Sequence, residues 1–557
     1  MPTIPGSRTL SGRVLIIFVA FLIAALALVG RLAYLQLIKA PEYASMAESS
    51  RTVNVTIPAK RGTIYDRNGN VLATSVDATT IYCDPTMVDD PREMADALAE
   101  CLGGKSDDYL ALITQDTTFV YVKRKADVNK AESLKEKGLS GLYFLPDSRR
   151  VYPYGSSAGQ IVGASNIDDV GITGLELYYD DILSGVPGKM VYEQSATGIP
   201  IPNATVVERD AADGQDIIIS IDIDMQIYME ERLSQGVADM GGSDGTAVLM
   251  DAATGEIYAI ASTPYFNPGD LSEVEDGATS IKAITSGLEP GSIFKTVSAT
   301  AILENGKMTP DTEVFCPAYL AVDEYYIEDM HERGDMTMTF RDIIRDSSNV
   351  GISLSVDEYL GYDKLYDKIL EYGLHSATGV DYPGEEVGFL SDYSEWSMTQ
   401  AYNISFGQGI TCTPLQMTRF YGALRNDGVA VTPHFLVSLP QSGETPEYET
   451  EQIIQNTEAV PTMVDMLQTV VEEGTGVDAQ MEGFTVVGKT GTAEFALETG
   501  GYSTTMSNRD FVGFLPNSTS SLVCYVGVDH VPVTGAVTPI FRDIMTFAVD
   551  QYRIAEQ

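Results

Sequence analysis

The chain has 557 residues, with 79 aspartates and glutamates against 35 lysines and arginines, for a net charge of −44. Such acidity argues against a nucleic-acid partner, whose phosphates need a basic face. A composition of 44% hydrophobic and 20% charged residues is globular, with length enough for two or three domains.

Residues 14–30 form an unbroken apolar run between Arg13 and Arg31, and residues 32–38 extend it. A cleaved signal peptide is the alternative to a membrane anchor. Its small-residue site, Ala25-Leu26-Ala27, would fall inside the run rather than after it, so an uncleaved anchor is favoured. Arg8 and Arg13 on one side nearly balance Arg31 and Lys39 on the other, so flanking charge does not orient the helix. No second apolar span follows, which puts everything after the anchor on one side of the membrane. The expected division is a tail at 1–13, the anchor and stalk start at 14–38, a first domain at 39–213 and a second at 214–557.

In the first domain, residues 52–57 read as a strand, and Asn68-Gly69 between short apolar runs as a hairpin turn. Asp90-Pro91 starts a helix that stops at Gly103-Gly104, and residues 129–137 form another ending at Gly138. The mixture is an irregular α+β domain. Gly155-Ser156-Ser157-Ala158-Gly159 matches a nucleophile elbow by letter, but Pro153 just before it is poor company for a central strand, so it reads as a loop.

In the second domain, residues 216–222 read as a strand and 224–233 as a helix. Residues 246–250 and 256–262 form a hairpin turning at Gly255. Glu289-Pro290-Gly291-Ser292-Ile293-Phe294-Lys295 then opens a helix to Leu303. On a helix, residues three apart share a face, so Ser292 and Lys295 can meet as nucleophile and base; alone, they would read as a cap and a snorkelling lysine. After an irregular stretch to Asp342, residues 341–346 look helical and run into Ser347-Ser348-Asn349-Val350-Gly351, a turn or a substrate-orienting patch. Ser405-Phe406-Gly407-Gln408-Gly409 suggests a close backbone approach before a helix at 417–426.

Gly483 to Thr490 fits the phosphate-loop pattern by letter, but its Phe-Thr-Val-Val centre propagates a strand, so nucleotide binding is rejected and Lys489 is assigned to a strand. Residues 508–515 and 521–528 make a further strand pair, and Thr538-Pro539 starts a closing helix to about residue 552. Five dispersed cysteines and four histidines show no metal or redox spacing. Buried free thiols are expected, with one disulfide left open.

Ser292-x-x-Lys295, Ser347-x-Asn349 and Lys489-Thr490-Gly491 occur in this order on helix, loop and strand, the set shared by penicillin-binding proteins and β-lactamases. With Arg61-Gly62, Asp66-Arg67-Asn68-Gly69, Arg150 to Pro153, Gly174-Leu175-Glu176 and Ser405 to Gly409, the chain resembles a class B penicillin-binding protein along nearly its whole length. Glu289-Pro290 and Ser405 to Gly409 look more like the division or sporulation branch than the elongation branch.

The resemblance implies an α+β architecture: an N-terminal transmembrane helix, a pedestal of the dimerisation type, and a β-lactamase-like transpeptidase domain whose antiparallel sheet is packed with helices. It implies a serine-type D-Ala-D-Ala transpeptidase that cross-links peptidoglycan stem peptides, is acylated by β-lactams and needs no cofactor or metal. It would act as a single-pass cell-membrane protein with an extracytoplasmic catalytic domain, beside a membrane glycosyltransferase and division proteins. Ser292 would attack, and Lys295, neutral through burial and the like charge of Lys489, would be the base. Ser347 would relay the proton, and Asn349 would bind substrate and hold Lys295. Lys489 and Thr490 would meet the substrate carboxylate, and Gly491 would let its backbone lie along the strand. The N–H groups of Ser292 and Thr492 would form an oxyanion hole. A β-lactamase or β-lactam sensor, and a catalytically silent division scaffold, are the alternatives.

Overall fold

The computed structural model describes residues 12–194, 200–496, 502–532 and 535–557; most of the N-terminal tail lies outside them. The chain divides into two compact units, Met1–Ala59 with Val186–Ala212, and Lys60–Gly185 with Asp213–Gln557.

The first unit begins with the helix Gly12–Ala33, whose side chains are all exposed, continued by a π-helical turn, Tyr34–Ile38. The whole Gly12–Ile38 helix has 27 residues and a window of mean hydropathy 2.7. At about 1.5 Å rise per residue it is long enough to cross a hydrocarbon core of about 30 Å. A second helix, Ala40–Arg51, leads into the expected strand Thr52–Ile57, which pairs antiparallel with Gly188–Gln194, itself paired with Pro200–Arg209.

In the second unit, the Asn68-Gly69 turn joins Ile64–Tyr65 to Val71–Cys83 as expected. Asp66 closes that turn by accepting from the backbone of Asn68 at 2.8 Å and of Asn70 at 2.7 Å. Ile64–Tyr65 also pairs in parallel with Ile217–Ile219, so one sheet holds strands from both halves of the sequence. Three separated stretches meet beside it. The Glu176 side chain, fully buried, is clamped by Arg61 and, at 2.6 Å, by Arg150 Nε, while Arg61 Nη1 reaches Asp180 at 2.6 Å. Buried charge is tolerated there because every carboxylate has a guanidinium partner.

The C-terminal part of the chain is built on a five-stranded antiparallel sheet, in the order Ile257–Ser262, Asp244–Asp251, Leu522–Pro532, Tyr502–Phe514, Val487–Ala496. Side chains alternate across it. Leu249, Cys524, Val526 and Phe511 pack with Ile540, Phe541 and Ile544 of the closing helix Thr538–Tyr552 and with Met225 and Met229 of Ile223–Met240. Val248, Met250, Tyr525 and Val512 face the opposite layer, which holds Phe294, Val297 and Ile302.

The sequence expectations need three corrections. The strand expected at 216–222 is only Ile217–Ile219, because Asp222 instead caps the next helix through the N–H groups of Asp224 and Met225. That helix runs to Met240. The irregular stretch before Asp342 contains two hairpin pairings, Glu313–Cys316 with Met336–Thr339 and Tyr319–Val322 with Tyr325–Glu328. As expected, all five cysteines are free thiols, four of them buried. Gly155 to Ala158 is a run of turns, as expected.

Candidate active site

Pro290 and Gly291 lead into a single 3-10 turn, Gly291–Phe294, from which the helix Lys295–Glu304 continues. Every residue from Lys295 to Leu303 is buried, so this is a central helix rather than an amphipathic one. The loop Ser405 to Gly409 seats its first turn. Gly291 N–H donates to Gly407 O at 3.0 Å, and Gly409 N–H to Glu289 Oε1 at 2.8 Å. Gly407 has φ 88°, and a Cβ there would stand 2.3 Å from Gly291 O, so only glycine fits. Tyr421, from the helix Pro414–Arg425, braces the same turn by donating to Ile293 O at 2.9 Å.

Ser292 does not cap its helix; Lys295 Nζ lies 2.9 Å from its Oγ. Lys295 is wholly buried and also reaches Ser347 O at 2.6 Å and Ser347 Oγ at 3.1 Å. Ser347 has φ 60°, a left-handed conformation uncommon for serine, and this turns both its carbonyl and its hydroxyl toward Lys295. Lys489, also wholly buried, approaches from the edge strand, with Nζ 3.0 Å from Ser347 Oγ and 3.1 Å from Thr490 O. One hydroxyl thus stands between two amines. Burial pushes Lys295 well below the usual amine range, the like charge of Lys489 pushes it further, and Asp329 opposes both. Burial brings Lys489 down to about 7.

Thr490 pairs its hydroxyl with that of Thr475 at 2.5 Å, and Thr492 Oγ1 accepts from Arg509 Nη1 at 2.8 Å. These groups line an open cleft of about 1970 Å³ together with Ser292, Ser347 and Asn349. The structure therefore gathers all eight residues expected from the sequence into one cleft region. One of the expected roles changes. Asn349 does not hold Lys295; its Nδ2 donates to Glu328 O at 2.9 Å, and the Ser347 carbonyl takes the lysine instead. At Gly491 a Cβ would point toward Asp510 and Ile293, within 3.0 to 3.2 Å, so packing behind the strand also favours glycine there.

The sequence reading missed Asp329. It follows the strand Tyr325–Glu328 and accepts from Ser348 Oγ at 2.8 Å and Val350 N at 3.0 Å, while Arg333 Nε reaches it at 2.6 Å. It therefore pins the loop that carries Ser347. Nothing in the local sequence distinguishes this aspartate from its acidic neighbours. Asp329→Asn is expected to lower stability by about 1.5–3 kcal/mol, the range for hydrogen bonds to charged groups. If half of that is felt in the transition state, acylation slows roughly four- to twelvefold. Because Asp329 raises Lys295, the acid limb of the rate profile should move to lower pH. Stopped-flow acylation against pH checks both; an unmoved limb would refute the electrostatic part.

Among the described residues, no group of three or more histidine, cysteine or acidic side chains could hold a metal. Burial pushes the thiols of Cys83 and Cys316 up to about 11 and that of Cys412 to about 12, so none of these is a competing thiolate nucleophile.

Residues 245–546 match the Penicillin binding protein transpeptidase domain, and residues 56–219 the Penicillin-binding Protein dimerisation domain. The chain is 31% identical to Stage V sporulation protein D of Bacillus subtilis over 94% of its own length and 82% of that protein. It is 31% identical to the Peptidoglycan D,D-transpeptidase FtsI of Escherichia coli over 85% of its length and 80% of the relative. Among solved structures it is similar to Penicillin binding protein 3 from Mycobacterium tuberculosis complexed with aztreonam. The TM-score is 0.71 at 26% identity, covering 90% of this chain and 98% of that one.

Proposed function

The chain belongs to the penicillin-binding proteins that carry a dimerisation and a transpeptidase domain, and from that premise we propose that it is a peptidoglycan D,D-transpeptidase with Ser292 as its nucleophile. The observation that carries the assignment is the wholly buried Lys295 amine 2.9 Å from Ser292 Oγ. An amine held neutral by burial can take the hydroxyl proton as the oxygen attacks.

Ser292 Oγ attacks the carbonyl between the two terminal D-alanines of a stem peptide. The proton passes to Lys295 and through Ser347 to the leaving nitrogen, and the terminal D-alanine departs. An amine of a second stem peptide then attacks the ester, its proton returns along the same relay, and the new amide frees Ser292. Lys489 and Thr490 take the substrate carboxylate, and that anion favours the charged form of a lysine otherwise brought down to about 7. The edge position of Val487–Ala496 leaves its outer side free to pair with an extended substrate. The N–H groups of Ser292 and Thr492 serve as the oxyanion hole, an arrangement that contributes about 3 kcal/mol or more. Asn349 contacts the substrate from a side chain anchored on the Glu328 carbonyl.

Residues 39–213 act as the pedestal and 214–557 as the transpeptidase domain. The N-terminal helix anchors the chain with its catalytic part outside the cytoplasm, where the peptidoglycan lies. There it works with a membrane glycosyltransferase and with division or sporulation proteins. The test is mass spectrometry after incubation with penicillin, together with an assay of D-alanine release from a stem peptide ending in D-Ala-D-Ala. One penicillin mass on the peptide containing Ser292, and D-alanine released, are the expected results. An adduct elsewhere, or none, overturns the assignment.

A further inference from the structure

Behind the edge strand lies an acid that the reaction above does not use. Asp510 pairs laterally with Gly491 on one side and with Gly527 on the other. Both glycines leave room for its carboxyl group. A Cβ at 527 would stand 2.7 Å from Asp510 Oδ1, and one at 491 would stand 3.2 Å from Oδ2. Asp510 is 1% exposed; Tyr525 donates its hydroxyl to Oδ1, and Oδ2 is buried without a hydrogen-bond partner. A Cβ at 491 would also meet Ile293 Cγ2 at 3.2 Å, so Gly491 is packed between Asp510 and the residue that follows the nucleophile.

We propose that Asp510 is a positioning residue for acylation: through Gly491 it sets the seat of Ile293, and so the spacing between the Ser292 turn and the edge strand carrying Lys489 and Thr492. This rests on Ser292 being the nucleophile. An orphaned carboxylate oxygen beside a catalytic turn is unfavourable for folding, and such features persist where function requires them.

The neutral acid is the form that fits. Burial pushes Asp510 up to about 7. The groups around it offer the ionised form little: Tyr525 already donates, Asp529 on the same strand repels, and Arg509 is its neighbour along its own strand and alternates to the opposite face. On the edge strand, Lys489 lies one pair further along the same face, and the nucleophile's turn presents only the apolar Ile293. When Asp510 ionises, Oδ2 must draw in a donor or water, and the Gly491–Ile293 contact loosens.

The test compares Asp510→Asn with the parent, measuring the second-order rate of acylation by a fluorescent penicillin from about pH 5.5 to about pH 8.5, alongside thermal melts. The carboxamide keeps the shape but cannot ionise. The variant-to-parent rate ratio should stay near one below pH 6 and rise to roughly three- to tenfold at about pH 8.5, with its midpoint near the parent acid's titration. In Tyr525→Phe, which loses the donor that favours the ionised acid, the rate loss of the parent at high pH should begin at a higher pH. A flat ratio overturns the proposal, including the case where only the melting temperature responds to pH, for then Asp510 is structural. Should the parent take up no penicillin on Ser292, the functional assignment itself has failed.

Discussion

A Ser292→Ala protein is expected to take up no covalent penicillin and to release no D-alanine, while melting within about 1 kcal/mol of the parent. The small stability effect follows from the geometry. Removing Oγ leaves Lys295 with the Ser347 carbonyl at 2.6 Å and the Ser347 hydroxyl at 3.1 Å, so no buried amine is orphaned. The one real competitor is Ser347, whose Oγ also stands within 3.1 Å of Lys295 and 3.0 Å of Lys489. Its backbone argues against it. The Ser347 N–H already donates to Ile344 O at 3.3 Å and cannot stabilise a developing oxyanion on its own acyl group. Gel fluorescence with labelled penicillin, followed by peptide mapping, decides the point. Label on Ser347 in the alanine variant would transfer the role of nucleophile to it.

Lys295→Met is expected to slow acylation by roughly 10²- to 10⁴-fold, the range for losing a general base. Methionine matches the stem of the lysine in a wholly buried site, so packing survives while the amine and its contacts disappear. The pH signature is the sharper readout. Burial holds Lys295 well below the ordinary amine range, so the folded protein binds fewer protons there than the unfolded chain does. The parent's acylation rate therefore climbs as pH rises through the folded-state pKa of Lys295. Its stability also climbs with pH between that value and the unfolded value near 10.5. Both slopes should flatten in the methionine variant, which should melt no lower than the parent in acid. A variant that keeps the parent's acid limb would show that some other group supplies the base.

The parts of the site that lie close along the chain were readable, because their contacts are set by local geometry. Ser292 and Lys295 meet because three residues of helix bring them onto one face. Lys489 could be moved from a phosphate loop to a strand because Phe484, Thr485, Val486 and Val487 favour extended backbone. The Asn68-Gly69 hairpin was legible for the same reason. Where an expectation failed, a distant partner had intervened. Asn349 turns to the Glu328 carbonyl because two short hairpins, invisible in a stretch without clear periodicity, build the wall beside it.

The sequence by itself determined that Ser292 and Lys295 meet, the order of the three motifs, the apolar N-terminal helix and an α+β chain with a closing helix. Tertiary structure alone decided which group holds Lys295, that Asp329 pins the loop of Ser347, and that Gly491 is wedged between Asp510 and Ile293. It also decided that burial and a second amine depress Lys295. The physical reason is one of range. Helix and turn geometry act over a few residues and leave a pattern in the letters. Desolvation and charge coupling depend on what the fold brings close, and Lys295 and Lys489, wholly buried in one cluster, are separated by most of the second domain in sequence.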